Sequence, residues 1–178
     1  MTDTPATWPK DIYAALKALD VHHVPYVPDA GHTRLINLCL GDKEMSAVPL
    51  TTEEEGVAML AGSWLGGKRG TLLMQSSGIG NCVNMFSTIK VGRYPLLTLI
   101  TMRGQWGEAN PWQLPMGQNA AEILRLSGFQ VFSLDEAEMA GEMVSAGGRT
   151  AFEANQMVAV LISQRVVGSK AFAPAEAN

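Results

Sequence analysis

The chain has 178 residues, 47% of them hydrophobic and 17% charged, with a net charge of −4. That length suits a single domain with a sizeable core, and the acidic balance without a basic stripe excludes a general nucleic-acid binder. The start of the chain has no basic and apolar signal pattern, and no apolar run nears the ~20 residues that span a bilayer, so a cytoplasmic setting with Cys39 and Cys82 as reduced thiols is expected.

Ile12, Ala15, Leu16 and Leu19 recur at helical spacing and predict a helix over Pro9–Leu19. Val21–Val27 reads as a strand whose end Pro25 makes irregular, and His22 and His23 near its start are expected at the surface. His32–Leu40 predicts a second helix, stopped by Gly41. Ala47–Leu50 is a short buried strand that turns into a third helix. There Thr52 suits the N-cap and Glu55 completes a capping box, while Val57, Leu60, Ala61, Trp64 and Leu65 share one face. Gly66-Gly67 ends that helix.

Thr71–Met74, Pro95–Ile100 and Met157–Ile162 are apolar without alternation, as strands covered on both faces are. Between and after them, helices are marked by Cys82, Met85, Phe86 and Ile89, by Ile123 and Leu124 up to Ser127, and by Ala140, Met143 and Val144. Repeated strand–helix alternation implies a parallel sheet flanked by helices. Residues 169–178 read as a frayed tail, which leaves 1–168 as the domain.

Four stretches could carry chemistry. Glu53, Glu54 and Glu55 open the third helix; acids there complement the helix dipole, each for roughly 0.3–1 kcal/mol. Glu53 also stands at a strand's carboxyl end, where open parallel sheets place their ligands. Gln75-Ser76-Ser77-Gly78-Ile79-Gly80-Asn81 follows a strand and opens a helix, with glycines that permit close backbone approach. Val27-Pro28-Asp29-Ala30-Gly31-His32 is either a turn with an Asp cap and a surface histidine, or the site of a proton carrier, Asp29 or His32. Arg103 opens an irregular stretch to Gly117 that contains Trp106 and Trp112. It offers either a salt bridge to a nearby acid or a guanidinium fork for an anionic substrate. Gly62-Ser63-Trp64-Leu65-Gly66-Gly67-Lys68 matches part of a phosphate-binding loop, but it ends a helix and continues with Arg69, which argues against nucleotide binding. No His, Cys and Asp spacing suggests a metal site.

Thr52–Val57 through Ala61-Gly62, Gly67-Lys68, Leu73–Asn81, Arg103-Gly104 and Leu114-Pro115-Met116-Gly117 together resemble the pyrimidine-binding domain of thiamine-diphosphate (ThDP) enzymes. The resemblance is to the sulfopyruvate decarboxylase alpha-subunit branch, with the phosphonopyruvate decarboxylases next, and runs from about Tyr13 to about Val166. It implies a three-layer α/β/α fold around a mostly parallel sheet of about six strands. In such domains the cofactor-activating glutamate precedes a helix glycine by nine positions; counting back from Gly62 gives Glu53, with Glu54 one residue away as the alternative. The resemblance further implies a catalytic set of Glu53, Asp29 and His32, and cofactor contacts from Glu53, Gln75, Ser77, Gly78 and Asn81. Arg103 and Gln113 would bind the substrate, although Ala30 stands where phosphonopyruvate-type relatives have serine.

The activity so implied is decarboxylation of a 2-keto acid, sulfopyruvate before phosphonopyruvate, with ThDP as the electron sink. A non-catalytic regulatory or scaffold subunit of the same fold is the alternative. The Gly-Asp-Gly motif followed by Asn that holds Mg2+ and diphosphate is missing; Gly41-Asp42-Lys43 reads as a turn. A separate beta subunit is therefore expected to hold Mg2+ and the diphosphate.

Overall fold

The computed structural model describes residues 7–168, so the predicted tail at 169–178 lies outside the described residues. The elements are α1 (Trp8–Ala18), β1 (Val21–Tyr26), α2 (Thr33–Leu40), β2 (Ser46–Pro49), α3 (Glu53–Leu65), β3 (Arg69–Gln75), α4 (Ile79–Cys82), α5 (Phe86–Gly92), β4 (Leu96–Thr101), α6 (Leu114–Leu126), β5 (Gln130–Leu134), α7 (Ala140–Phe152), β6 (Met157–Ile162) and α8 (Gln164–Val167). All six strands are parallel, in the order β2-β1-β3-β4-β6-β5, which bears out the expected three-layer architecture. Successive side chains of a strand point to opposite faces, and the core divides accordingly. Leu73, Leu97, Leu99, Val158 and Val160 pack with α1, α2 and α7 on one face. Leu72, Met74, Ile100, Ala159 and Leu161 pack with α3 to α6 on the other.

The chain leaves β1 towards β2 on one side and returns to β3 on the other. The connections from β1 and from β3 therefore diverge, which makes the carboxyl ends of these strands the switch point where open α/β sheets usually place a ligand. Asp29 follows β1, and Gln75 ends β3, so both stand at this switch point.

Several local expectations change. β5 was absent from the predicted strands because its Gln130 and Ser133 are exposed at the sheet edge, so the run is not continuously apolar. His22 and His23 lie inside β1 and are half-buried, and His23 Nδ1 is 2.7 Å from Ser63 Oγ. The helix through Cys82 and Phe86 is two short helices, α4 and α5, separated by a turn over 83–85. α3 buries Val57, Leu60 and Ala61, but Leu65 is 71% exposed, because the helix ends at Gly66 before that position reaches the sheet. Gly67 takes a left-handed φ of 76° just beyond, and its N–H donates to Trp64 O, which confirms the glycine stop.

α6 begins at Leu114, inside the stretch expected to be irregular up to Gly117, because Pro115 is tolerated in a first helical turn. Gly117 lets that turn sit directly on the backbone of Arg103 and Gly104; a Cβ there would overlap the Arg103 carbonyl. Gly117→Ala should therefore destabilise the chain by about 1–3 kcal/mol in urea unfolding, as overpacking against rigid neighbours does. Gly62→Ala, where a Cβ meets nothing within 4 Å, should instead be neutral or stabilise α3 by up to ~1 kcal/mol. Equal effects of the two substitutions would contradict this packing.

Candidate active site

The acidic triplet at the start of α3 splits into two roles. Thr52 has the extended dihedrals of an N-cap (φ −149°, ψ 153°), but its hydroxyl donates to Glu54 Oε2 at 2.6 Å. Glu55 Oε2 accepts from Thr51 N at 2.9 Å. The expected capping box is thus replaced by a different arrangement, since Glu55 reaches one residue further back than the cap. Glu53 turns inward and is only 7% exposed, a carboxylate buried at a helix N-terminus. Asn81 Nδ2 donates to its Oε2 at 2.8 Å. Gly78 packs against the same side chain so closely that a Cβ would overlap the Glu53 carboxyl. Glu53, Gly78 and Asn81 thus form one unit, joining α3 to the turn after β3.

A second unit lies on the other side of that turn. Asp29 Oδ1 accepts from Gln75 Nε2 at 2.8 Å, and its Oδ2 accepts from Thr101 Oγ1 at 2.6 Å and from Gly31 N at 3.1 Å. Gln75 Oε1 accepts from Ser77 Oγ and from Gln113 Nε2, each at 3.0 Å. Asp29, Gln75, Ser77 and Gln113 therefore come together across the ends of β1 and β3. Thr101 belongs with them and was missed; the available signal was a threonine at the carboxyl end of an apolar strand, where ligands gather.

Two candidates do not behave as expected. His32 is fully buried, not a surface residue, and its Nε2 lies 3.1 Å from Leu99 O. Burial pushes its pKa down, so the ring is neutral, donates from Nε2 to that carbonyl, and has no exposed path for carrying protons. Arg103 grips Glu108 through Nε and Nη2, both at 2.6 Å, so the fork expected for a substrate anion is closed on an acid of its own loop. Glu108 also accepts from Gly104 N, Asn110 N and Gln164 Nε2. Gln164 Oε1 in turn accepts from Gln105 N at 2.8 Å and from Trp106 N at 2.9 Å. This clasp fixes the segment that carries Trp106 and Trp112, which are 56% and 84% exposed. The signal for it was that Glu108 is the one acid between Arg103 and Gly117.

Among the described residues no group of three or more His, Cys, Asp or Glu could hold a metal ion, and no helix is long and apolar enough to cross a membrane. Cys39 and Cys82 are buried and unpaired; burial pushes their thiols up to about 11 and about 12, so neither is a poised nucleophile.

The Arg103 hydrogen bonds hold the Glu108 carboxyl well below its ordinary 4.5, at about 2. Its stabilisation is therefore complete above about pH 4.5 and is lost as the pH falls towards 2. In an acid titration the amide shifts of Gly104 and Asn110 should move through that window. In Glu108→Gln they should already be displaced at pH 7 and no longer titrate, with a stability loss on the order of 3 kcal/mol from the unpaired guanidinium. Unchanged shifts in the variant would show that the clasp does not form.

No family model matches the chain. A sulfopyruvate decarboxylase subunit alpha from Methanococcus maripaludis is 33% identical over 152 residues, which cover 85% of this chain and 91% of that protein. The protein of the same name from Methanocaldococcus jannaschii is 32% identical over 151 residues, covering 84% and 89%. A phosphonopyruvate decarboxylase from Streptomyces viridochromogenes is 36% identical over 118 residues, but these make up only 30% of that longer protein. Among solved structures, a 2-oxoglutarate:ferredoxin oxidoreductase from Magnetococcus marinus superposes with a TM-score of 0.72 at 15% identity, covering 90% of this chain and 29% of that one. That likeness speaks for the fold; the sequence likeness, spread over nearly the whole of the archaeal relatives, speaks for kinship. The chain belongs to the sulfopyruvate decarboxylase alpha-subunit family.

Proposed function

We propose that this chain is the alpha subunit of a ThDP-dependent decarboxylase that converts sulfopyruvate to sulfoacetaldehyde and CO2, with its active site completed by a beta subunit. The observation that carries the reading is Glu53, a buried carboxylate at the carboxyl edge of a parallel sheet, gripped by Asn81 and backed by Gly78. These residues fit the aminopyrimidine of ThDP. The carboxylate could face a ring nitrogen, and Gly78 leaves the room that the Glu53 carboxyl itself occupies.

When bound, ThDP supplies the electron sink for the bonding pair left as CO2 departs. The chain's own contribution is position and protons. Glu53 would face the pyrimidine ring nitrogen and share a proton with it, and the hydrogen bond from Asn81 would keep the Glu53 carboxyl from rotating. Gln75 and Ser77 line the crevice between the two units, with Asp29 as the acceptor that orients Gln75. Gln113 joins this crevice from the loop after β4, through Nε2 donating to Gln75 Oε1. Arg103 is left out of substrate binding, because Glu108 occupies its fork, and buried His32 is left out of proton transfer.

The diphosphate and Mg2+ fall to the partner. The one Gly-Asp here, Gly41-Asp42, is a turn whose carboxylate is taken by Tyr13 Oη at 2.7 Å and Lys17 Nζ at 2.9 Å. The 36% identity to a phosphonopyruvate decarboxylase supports a second reading, the same chemistry on the phosphonate analogue.

The test is co-expression with a candidate beta chain, followed by CO2 release from sulfopyruvate, phosphonopyruvate and pyruvate. The complex should retain ThDP and Mg2+, which the isolated chain should bind only weakly, and should turn over sulfopyruvate with the highest kcat/KM. A preference for phosphonopyruvate would favour the second reading. A stable complex that holds no ThDP would point to a scaffold subunit and end the catalytic one.

A further inference from the structure

The hydrogen bonds at the ends of β1, β3 and β4 have a direction, and one residue sets it. A carboxylate is acceptor-only, so every group facing Asp29 must donate. Thr101 Oγ1 and Gly31 N do so on Oδ2, and Gln75 Nε2 does so on Oδ1. With its nitrogen committed to Asp29, Gln75 must turn its oxygen the other way, towards Ser77 Oγ and Gln113 Nε2. Gln113 is committed in the same sense and is left with its oxygen pointing onward. That Oε1 is buried and has no hydrogen-bond partner among the described residues. A buried acceptor without a donor is costly, so its partner has to come from outside the fold, as an ordered water or a ligand.

The anchor of this chain of amides is itself tightly built. Thr101 is 1% exposed, and Gly31 lies so close that a Cβ would meet Asp29 Oδ2 at 2.8 Å and Thr101 Cγ2 at 2.9 Å. Asp29 is therefore held in place, and because either of its oxygens only accepts, no rotation of the carboxylate reverses the order.

We propose that Thr101, Asp29, Gln75 and Gln113 form a one-way amide relay that presents Gln113 Oε1 as an acceptor for an amino or hydroxyl donor of the bound ligand. The proposal deepens the function proposed above and rests on it for the identity of that ligand, but not for the direction of the relay. Sulfopyruvate carries only acceptors, in its sulfonate, ketone and carboxylate, so the donor that meets Gln113 Oε1 would come from the amino group of the cofactor's aminopyrimidine and not from the substrate. Thr101 is a positioning residue acting through Asp29.

Asp29→Asn tests the direction. The amide introduced by that substitution keeps its oxygen towards Thr101 and Gly31, which both donate, and so turns its nitrogen to Gln75. Gln75 then has to flip, Gln113 follows, and the buried end presents an N–H2 group instead of a carbonyl. Neutron diffraction from the perdeuterated chain distinguishes nitrogen from oxygen and sees the deuterons. The wild-type map should show the Gln113 oxygen at the buried end, and the Asp29→Asn map should show both glutamine amides reversed. A wild-type map with nitrogen at that end overturns the proposal even if the variant does not fold, and so does a variant map with Gln75 unturned.

The positioning role is read in the co-expressed complex. Thr101→Val should lower kcat/KM for sulfopyruvate at least tenfold, and Thr101→Ser, which keeps the hydroxyl, should stay within about twofold of wild type. Wild-type activity in Thr101→Val overturns that role. An inactive wild-type complex would instead count against the proposed function, while the neutron maps still decide the direction of the relay.

Discussion

The contact between Glu53 and Gly78 sets most of what this site can be. A carboxylate buried at the start of α3 must find room against the turn that follows β3, and only a residue without a side chain leaves that room. Asn81 then supplies the donor that makes burial tolerable, since a carboxylate out of water needs hydrogen bonds. Because α3 follows β2 and the turn follows β3, the contact also ties the outer strand to the middle of the sheet across β1. A side chain at position 78 would disturb the packing of α3 as well as the chemistry.

The remaining polar groups arrange themselves around that turn. Ser76 is buried, and its Oγ accepts from Arg103 N at 3.1 Å, which links the turn after β3 to the loop after β4. Beyond it, Glu108 and Gln164 close that loop by bonding its backbone N–H groups, doing for an irregular segment what a strand partner does for a strand. The loop therefore presents Gln113 to the site and Trp106 to solvent from a fixed frame. Two exposed tryptophans held in this way suit docking against a partner, because little conformational entropy is left to lose on binding.

How much of this was legible in the sequence depended on what each residue touches. Strands buried on both faces, such as β4 and β6, announce themselves as unbroken apolar runs, and their positions followed from composition alone. β5, wet on one side, gave no such run. The resemblance and the glycine spacing singled out Glu53, and the structure separates it from Glu54 and Glu55 by burial, which spacing alone could not do. Asp29, Gln75, Ser77 and Gln113 were picked individually; that they share hydrogen bonds is a property of the β1–β3 switch and could not be read from residues up to 84 positions apart. Arg103 was offered two fates, and the acid that decides between them lies five residues away on a loop whose course no periodicity records. His32 failed for a similar reason: its burial depends on the turn before α2 lying against β4, which brings it to Leu99 across 67 residues.

The central claim is that Glu53, and not its neighbours, activates the cofactor. The direct measurement is H/D exchange at C2 of ThDP, followed by NMR in the co-expressed complex saturated with ThDP and Mg2+. Glu53→Gln keeps the shape of the side chain but cannot hold the proton, so exchange should slow at least a hundredfold, within the range attributed to positioned acid–base groups. Glu54→Gln and Glu55→Gln should exchange at the wild-type rate. Exchange at the wild-type rate in Glu53→Gln, with assembly and cofactor content unchanged, would contradict the account.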